Sequence, residues 1–294
     1  MFELLSPFFL LVLFFLAVFI IWRINPRKYI TSGTVASAYD AWTQDKLLER
    51  LWGEHIHLGF YPCGNKKIDF RKAKVQFVHE LVKWSDLDKL PKGSRILDVG
   101  CGIGGSSRVL AKYYGFNVTG ITISPAQVKR AKELTPDGVN CNFQVMDALD
   151  LKFEDGSFDA VWSVEAGAHM NDKTRFADEM LRTLRPGGYL ALADWNSRDL
   201  MVNPPNFLEK LVLKQLLEQW VHPNFISINE FNNILKTNKN SAGRVISENW
   251  NFYTNPSWYD SIFEGMRRPL TILSLGPLAI IKSIREIPLS LIHI

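Results

Sequence analysis

The stretch ILDVGCGIGG, residues 96–105, decides the fold of this chain. It joins a short apolar run over residues 95–99, typical of a buried strand, to a predicted helix over residues 106–114. Glycines at such a strand-to-helix turn let the backbone approach a ligand closely, and the start of the helix adds unpaired N–H groups. The stretch therefore predicts a ligand-binding loop at one edge of a sheet.

Strands and helices alternate after this loop. The sequence predicts further strands over 117–123, 142–146, 158–164 and 189–194, with helices over 125–134 and 174–184. This alternation is typical of a parallel sheet with helices on both faces, so the predicted fold class is α/β. The flanking segments are predicted as helices over 34–51, 69–87, 206–220, 228–237 and 256–266, and as a sixth strand over 244–252.

The N-terminal segment has a different composition. Residues 8–22 read FFLLVLFFLAVFIIW, and Arg23, Arg27 and Lys28 follow them. An unbroken apolar run of this length predicts a membrane anchor over residues 1–28, with the rest of the chain on the cytoplasmic or stromal side. A cleaved signal peptide and a buried helix are the alternatives, although the segment lacks the basic start and small-residue cleavage site of a signal peptide.

The remaining chain divides into three predicted parts, at residues 29–90, 91–200 and 201–294. The first is a helical cap, the second the ligand-binding core, and the third a lid with the C-terminal part of the fold. The composition, with 47% hydrophobic and 22% charged residues, excludes a disordered chain or a small disulfide scaffold. A net charge of +4 gives no sign of nucleic-acid binding, and three cysteines without a Cys-x-x-Cys motif predict no metal site.

Two residues near the glycine loop indicate its ligand. Gly100, Gly102 and Gly105 also satisfy the G-x-G-x-x-G pattern of dinucleotide-binding loops, so the glycines alone are ambiguous. Asp98, however, would repel a pyrophosphate and suits a cationic group such as the ammonium of S-adenosylmethionine. Thr122 stands where a dinucleotide fold carries an acid for the ribose. The loop therefore favours S-adenosylmethionine over a nicotinamide cofactor.

Several motifs resemble those of a known family. DVGCGIGGSS (98–107), GITIS (120–124), WSVEAGAHM (162–170) and LRPGG (184–188) resemble the class I S-adenosylmethionine-dependent methyltransferases, which have a Rossmann-like sheet. LWGEHIHLGFY (51–61), with SAYDAWT and ADWNSRD, resembles the cyanobacterial 2-methyl-6-phytyl-1,4-benzoquinone methyltransferases over about residues 10–290. Gamma-tocopherol, sterol and cyclopropane lipid methyltransferases look like more distant relatives.

The resemblance implies methylation of a ring carbon of a prenylated benzoquinol, with S-adenosylmethionine as cofactor. The alternatives are a methyltransferase for another lipid, such as gamma-tocopherol, a sterol or an acyl chain, and a truncated, inactive protein that binds the cofactor. The apolar N-terminal segment adds membrane lipid as an expected partner. It implies that one group of residues holds the methionine part of the cofactor: Asp98, Gly100, Gly102 and Gly104. It implies that a second group contacts the adenosine: Thr122, Ile123, Gln127, Asp147 and Ala148. Tyr39 and His57 are expected to close over the cofactor. A turn or cap role is the alternative for Asp147, and an exposed surface position for Gln127.

Two features depart from the family. Thr122 replaces the usual ribose-binding acid, as it does in the lipid-methylating relatives. The family's last strand, which lies beside the fifth, has no counterpart after Ile287. We therefore expect the C-terminal strand to be missing, through truncation or through a rearranged tail, and the sheet to keep an unpaired edge.

The chemistry of methylating a phenolic ring needs a general base, because deprotonating the hydroxyl makes the ring carbon nucleophilic. Glu165 and His169 follow the fourth strand, at the sheet edge where ligands bind in this architecture. We predict them as the catalytic residues. A packed or capping histidine, and a carboxylate of the cofactor loop, are the alternatives. His55 and His57 are further candidates for a direct role, and Asp194 is a candidate for orienting the substrate, with a turn residue as its alternative.

Overall fold

The computed structural model describes residues 12–14, 16, 28–62, 68–241 and 243–267. Its centre is a parallel sheet in the order β3-β2-β1-β4-β5. The strands are β1 (Arg95–Val99), β2 (Asn117–Thr122), β3 (Cys141–Val145), β4 (Phe158–Val164) and β5 (Leu184–Ala193). The α/β class predicted from the alternation of strands and helices is confirmed.

Nine α-helices surround the sheet within the described residues. They are α1 (Ser32–Gln44), α2 (Leu47–Trp52), α3 (Phe70–Trp84), α4 (Gly105–Tyr114), α5 (Pro125–Leu134), α6 (Lys173–Thr183), α7 (Phe207–Trp220), α8 (Ile228–Thr237) and α9 (Asn251–Arg267). A short 3-10 turn, Gly167–His169, follows β4. The helices predicted after residue 28 all have a counterpart here, most of them within two residues at each end.

Apolar clusters lie on both faces of the sheet. Trp162 of β4 packs in one cluster with Leu110 of α4. Leu97 of β1 packs in a second cluster with Phe176 of α6 and Phe231 of α8. Strands covered on both faces need apolar residues on both, which is why β1 and β4 read as nearly continuous apolar runs.

The N-terminal helices lie over the carboxyl end of the sheet. The predicted single helix over 34–51 is broken into α1 and α2 at Lys46, whose backbone is left-handed with φ of 55°. Trp42 of α1 and Leu48 of α2 pack with Trp220 of α7. This contact joins the N-terminal helices to α7 across the site described below.

The predicted sixth strand over 244–252 is wrong. Residues 244–250 form no regular element, and α9 begins at Asn251, where Asn249 Oδ1 accepts the Asn251 N–H at 2.9 Å. Trp250 packs against the rings of Phe60 and Phe77. Tertiary packing of this large side chain and an Asn cap outweigh the strand propensity of the segment.

The membrane prediction is corrected. Among the described residues, no helix is long and apolar enough to cross a membrane. The membrane-spanning helix over 1–28, and the membrane-anchored location that followed from it, are therefore not supported. The prediction used the apolar run alone, whereas a span requires a continuous helix of about 20 residues. Most of residues 1–28, and the expected missing strand after Ile287, lie outside the described residues.

Candidate active site

The predicted site residues meet at the carboxyl edge of the sheet because the strands are parallel and in register. Asp98 pairs with Gly120 in β2 and with Trp162 in β4. Thr122 pairs with Val145 at the end of β3. The ends of all five strands therefore open on one side, where a ligand can touch several of them.

The glycine loop follows β1 and leads into α4. Gly100, Gly102 and Gly104 have left-handed backbones, with φ of 80°, 55° and 81°. A Cβ on Gly100 would lie 2.2 Å from the Cβ of Ala166, so only glycine fits there. A Cβ on Gly102 would meet nothing nearer than Gln127 Nε2 at 3.9 Å. The loop is therefore packed on one side and leaves space for a ligand at Gly102.

Asp98 is a buried carboxyl below this loop. Its Oδ2 accepts a hydrogen bond from the Ser107 hydroxyl of α4 at 2.5 Å. Burial raises the pKa of Asp98 to about 7, and the Ser107 bond opposes this rise. A ligand ammonium would remove the cost of ionising such a carboxyl. The buried acid and the open side of Gly102 therefore fit the methionine end of S-adenosylmethionine.

Thr122 and Gln127 are brought together. The Thr122 hydroxyl donates to Gln127 Oε1 at 2.6 Å, and both side chains are buried. Ser124 caps α5 by accepting the Gln127 N–H at 3.1 Å, and Ile123 between them is half-buried. The alternative of an exposed Gln127 is wrong, because its amide is part of the wall beside the glycine loop.

Asp147 and Ala148 follow β3. Asp147 Oδ1 accepts the Leu149 N–H at 2.9 Å, which is the turn role considered as the alternative. The Asp147 side chain is half-buried, and Ala148 is buried. One carboxylate oxygen of Asp147 is thus used by the turn, which leaves Oδ2 for a ligand.

His57 lies against the N-terminus of α4. His57 Nδ1 lies 2.7 Å from the carbonyl oxygen of Leu58, so Nδ1 carries the proton and Nε2 accepts. His57 Nε2 is 3.0 Å from His55 Nδ1 and 3.3 Å from the Ser106 hydroxyl. Burial lowers the pKa of His57 to about 3, so the ring is neutral. Protein groups engage both nitrogens, and His57 fixes the loop over residues 53–59 on α4.

Tyr39 of α1 reaches the other half of the site. Its hydroxyl lies 2.8 Å from His169 Nε2. His169 Nδ1 is 3.4 Å from the Val221 carbonyl, so Nδ1 carries the proton and the tyrosine donates to Nε2. The His222 ring stacks on His169 with centroids 4.1 Å apart. Burial lowers the pKa of His169 to about 4, so the ring is neutral at pH 7.

Glu165 and Asp194 are neighbours at the ends of β4 and β5. Glu165 has a left-handed backbone, with φ of 54°, and its Oε1 accepts the Leu58 N–H at 2.9 Å. Asp194 Oδ1 accepts the N–H groups of Ala168 and Trp195 at 3.0 and 2.9 Å. Burial raises the pKa of Glu165 to about 7 and that of Asp194 to about 6. Such carboxyls can exchange protons with a ligand near neutral pH.

A cavity of about 1560 Å³ lies beside these two carboxyls and continues along β5. Glu165, Lys173 and Asp194 line the cavity beside the ends of β4 and β5. Its apolar and aromatic lining includes Leu58, Phe77, Trp195, Leu213, Phe225 and Trp258. Further charged residues, among them Arg182, Arg185 and Arg244, line it along β5 and beyond. The cavity therefore combines ionisable groups near Glu165 with apolar surface, and its lining is mixed.

Two residues of the site were not predicted from the sequence. Asp40 of α1 accepts the Ser124 hydroxyl and the Ala126 N–H, the latter at 3.0 Å, and so caps α5 from outside. His222 stacks on His169 from the turn after α7. Both contacts join distant parts of the chain, so no local spacing reports them. The sequence gives one indication that Asp40 belongs to the site: Asp40 directly follows Tyr39, which is a predicted site residue.

Within the part of the chain that the structure describes, no group of three or more His, Cys, Asp or Glu side chains could hold a metal ion. The site is therefore built from an acid-bearing glycine loop, a polar wall on β2 and α5, and two buried carboxyls beside a cavity.

Comparisons with known proteins identify the family of this chain. Residues 97–192 match a methyltransferase domain. The chain is 54% identical to 2-methyl-6-phytyl-1,4-hydroquinone methyltransferase of Synechocystis, over 91% of this chain and 84% of that protein. It is 35% identical to the chloroplastic tocopherol O-methyltransferase of Arabidopsis thaliana, over 72% of this chain and 64% of that protein.

A solved structure shows the same fold. The geranyl diphosphate C-methyltransferase of Streptomyces coelicolor, in complex with S-adenosyl-L-homocysteine, matches 87% of this chain and 93% of its own, with a TM-score of 0.62 at 19% identity. The resemblance read from the motifs is thereby confirmed. The chain belongs to the class I S-adenosylmethionine-dependent methyltransferases, in the group that includes the Synechocystis 2-methyl-6-phytyl-1,4-hydroquinone methyltransferase.

Proposed function

We propose that this enzyme methylates a ring carbon of a prenylated benzoquinol, with 2-methyl-6-phytyl-1,4-benzoquinol as the substrate. The name of the Synechocystis relative supports this substrate. The observation that carries the proposal is the position of Glu165. It lines the cavity, and the next residue, Ala166, packs directly against Gly100 of the cofactor loop. A proton acceptor, the loop that would hold the methyl donor and a partly apolar cavity thus lie together at the end of β4.

The cofactor residues follow from the fit described above. Asp98 would hold the ammonium, and the backbone of Gly100, Gly102 and Gly104 would follow the methionine part. The adenosine would lie against a wall made by Thr122, Ile123, Gln127, Asp147 and Ala148. When bound, S-adenosylmethionine supplies a methyl group already activated by its sulfonium. The protein therefore has to position the acceptor, exclude water and manage a proton.

Glu165 is the general base in this proposal. Its Oε1 accepts the Leu58 N–H and the Trp195 side chain also stabilises the ionised carboxylate, and in this proposal the carboxylate accepts the proton of a quinol hydroxyl. The resulting phenolate donates charge into the ring and makes the carbon nucleophilic. The raised pKa of Glu165 lies near neutral pH, where a general base is most effective and contributes about 10²–10⁴-fold to the rate.

His169 and Tyr39 act as positioning residues in this proposal. The predicted role of His169 as a base is less well supported than that of Glu165, because protein groups engage both nitrogens of its ring. Tyr39 is predicted to close over the cofactor, and its bond to His169 supports a closing role because it joins α1 to the segment after β4. Together the pair would keep water away from the reacting groups.

A methyl-transfer assay with labelled S-adenosylmethionine tests the proposal. The assay offers 2-methyl-6-phytylbenzoquinol and gamma-tocopherol in parallel, in detergent. We expect label in the quinol product. Label in tocopherol alone would contradict the substrate assignment and favour the activity named for the Arabidopsis relative.

The role of Glu165 is tested in the same assay. Glu165→Gln keeps the acceptor for the Leu58 N–H and removes the base. We expect kcat to fall about 10²–10⁴-fold while S-adenosylhomocysteine binding is kept. Glu80→Gln is the matched control, because Glu80 lies on α3 and accepts from Gln76. Equal kcat in the two variants would exclude Glu165 as the base.

A further inference from the structure

The segment before α7 and the first turns of α7 expose large apolar side chains to solvent. Met201 is 90% exposed, Val202 71%, Phe207 74% and Leu208 69%. Leu211, one turn further along α7, is 45% exposed. We call these five residues the apolar tip. Single exposed apolar residues are ordinary on proteins, but five large ones within residues 201–211 indicate an interaction surface.

The helix α7 carries three of the five tip residues, and its inner side is apolar. Leu213 and Leu216 line the cavity, and Trp220 is buried against α1 and α2. Its solvent side carries the exposed apolar side chains of Phe207, Leu208 and Leu211 together with the exposed Lys210 and Lys214. Apolar side chains bordered by lysines are typical of a helix side that contacts a membrane surface.

The tip is held in a defined conformation. Asp199 Oδ1 accepts the N–H groups of Met201 and Val202 at 3.0 and 3.2 Å, which fixes a turn. Arg198 donates to both carboxylate oxygens of Glu209 at 2.8 and 2.6 Å, which ties the loop to α7. The apolar side chains are thus presented outward from a braced loop.

We propose that the apolar tip inserts into the surface of a lipid bilayer and places the mouth of the cavity against it. We choose a lipid surface because the apolar tip adjoins the cavity: residues that line the cavity alternate along the chain with residues of the tip. Leu200 and Pro205 line the cavity, whereas Met201, Val202 and Phe207 point to solvent. An apolar molecule could pass from a bilayer into the cavity without crossing water.

The charges around the apolar tip are also compatible with a lipid bilayer. Two carboxylates lie beside the tip: Glu209 is paired with Arg198, and Asp199 accepts the backbone N–H groups of Met201 and Val202. Lys210 and Lys214 are exposed on α7 beside Leu211. Lysines at the border of an apolar surface can reach lipid phosphates while their stems lie on the apolar side. That the passing molecule is a prenylated quinol rests on the proposed function; the docking itself does not.

Hydrogen exchange of the full chain tests the docking without substrate or cofactor. The probe is a vesicle of phosphatidylcholine with about 30% phosphatidylglycerol, which supplies both an apolar interior and anionic headgroups. We expect the amides of residues 200–203 and 206–208, which lie outside the helical hydrogen-bond ladder, to exchange about tenfold more slowly with vesicles. Residues 105–114 of α4 should show no change. Protection confined to segments other than 200–211 would overturn the proposal.

A variant pair makes the test specific. Leu208→Ser removes an apolar side chain that is 69% exposed, and Tyr113→Ser removes one that is 67% exposed on α4. Because both positions face solvent, neither change should unfold the protein, and circular dichroism checks this. Leu208→Ser should lose most of the vesicle-induced protection at 200–211, whereas Tyr113→Ser should keep it. Equal protection in both variants, or a dimer that Leu208→Ser dissociates, would show that the tip does not serve a lipid surface.

Failure of this proposal can be separated from failure of the proposed function. Activity on a quinol presented in detergent does not depend on docking. A protein that methylates the quinol but shows no protection at the tip would refute the docking alone. Protection without methyl transfer would refute the substrate assignment and leave the docking in place.

Discussion

Alanine substitutions in the glycine loop separate the packing role of one glycine from the ligand role of another. Gly100 and Gly102 both have left-handed backbones, which cost an alanine about 1–2 kcal/mol. At Gly100 the new Cβ would also lie 2.2 Å from the Cβ of Ala166, whereas carbon atoms prefer about 3.5–4.0 Å. Overpacking of this kind costs about 1–3 kcal/mol more. At Gly102 the new methyl would make only an ordinary van der Waals contact, with Gln127 Nε2 at 3.9 Å.

The expected results therefore differ in kind. Gly100→Ala should lower the free energy of unfolding by about 2–5 kcal/mol, and the Tm should fall by about 2–4 °C for each kcal/mol. Gly102→Ala should cost only the backbone strain but weaken S-adenosylhomocysteine binding about tenfold or more, because its methyl occupies the space left for the ligand.

Gly138 supplies the control. Its backbone is also left-handed, with φ of 81°, and a Cβ there would meet nothing within 4 Å. Gly138→Ala should reproduce the backbone strain without the overpacking and without weaker ligand binding. Urea denaturation measures the free energy of unfolding, and titration calorimetry measures the affinity for S-adenosylhomocysteine. The reasoning is refuted if Gly100→Ala is no less stable than Gly138→Ala, or if Gly102→Ala binds S-adenosylhomocysteine as the unchanged protein does.

Three further predictions concern charges and helix caps. The rate should rise as the pH increases through about 7, because Glu165 has to be ionised to accept a proton; a pH-rate profile without this acid limb would contradict the base assignment. Burial raises the pKa of Asp98 above its unfolded value, so the folded state binds the proton more tightly, and the stability of the ligand-free protein should fall as the pH rises from about 4 to 7. Asp98→Asn should reduce the difference between the Tm at pH 5 and the Tm at pH 8, and an unchanged difference would refute the prediction for Asp98. Asp40→Ala should remove the outer cap of α5 at a cost of about 0.5–2 kcal/mol and weaken S-adenosylhomocysteine binding, which Asp45→Ala at the end of α1 should leave unchanged.

The sheet could be predicted from the sequence because its signals are local. The run over 95–99, the glycines after it and the alternation that follows need no information from distant residues. The register of parallel strands then places Asp98, Thr122 and Glu165 at one edge without further assumptions. Local periodicity and topology together account for these predictions.

Other parts could not be read from the sequence because they depend on tertiary contacts. Residues 244–250 resemble a strand, but Trp250 is drawn into an aromatic cluster with Phe60 and Phe77. The cap that Asp40 places on α5 joins positions more than 80 residues apart. The membrane prediction used an apolar run alone, which cannot establish a continuous helix.

The candidate bases also show which features can be predicted from local sequence and which depend on tertiary contacts. Residue type and position after a strand were enough to select both Glu165 and His169 as candidate bases. The difference between them lies in their surroundings, since Tyr39 and the Val221 carbonyl engage both ring nitrogens of His169, whereas Glu165 lines the cavity. Hydrogen-bond partners of this kind have no sequence pattern.

The most direct test of the central claim is the position of the transferred methyl group. The enzyme would be given S-adenosylmethionine with a ¹³C-labelled methyl and 2-methyl-6-phytylbenzoquinol, and the product would be examined by carbon NMR. The account predicts a methyl bonded to a ring carbon, because a phenolate formed at Glu165 carries its charge into the ring. A methyl bonded to oxygen, or no labelled quinol from a protein that still binds S-adenosylhomocysteine, would contradict it.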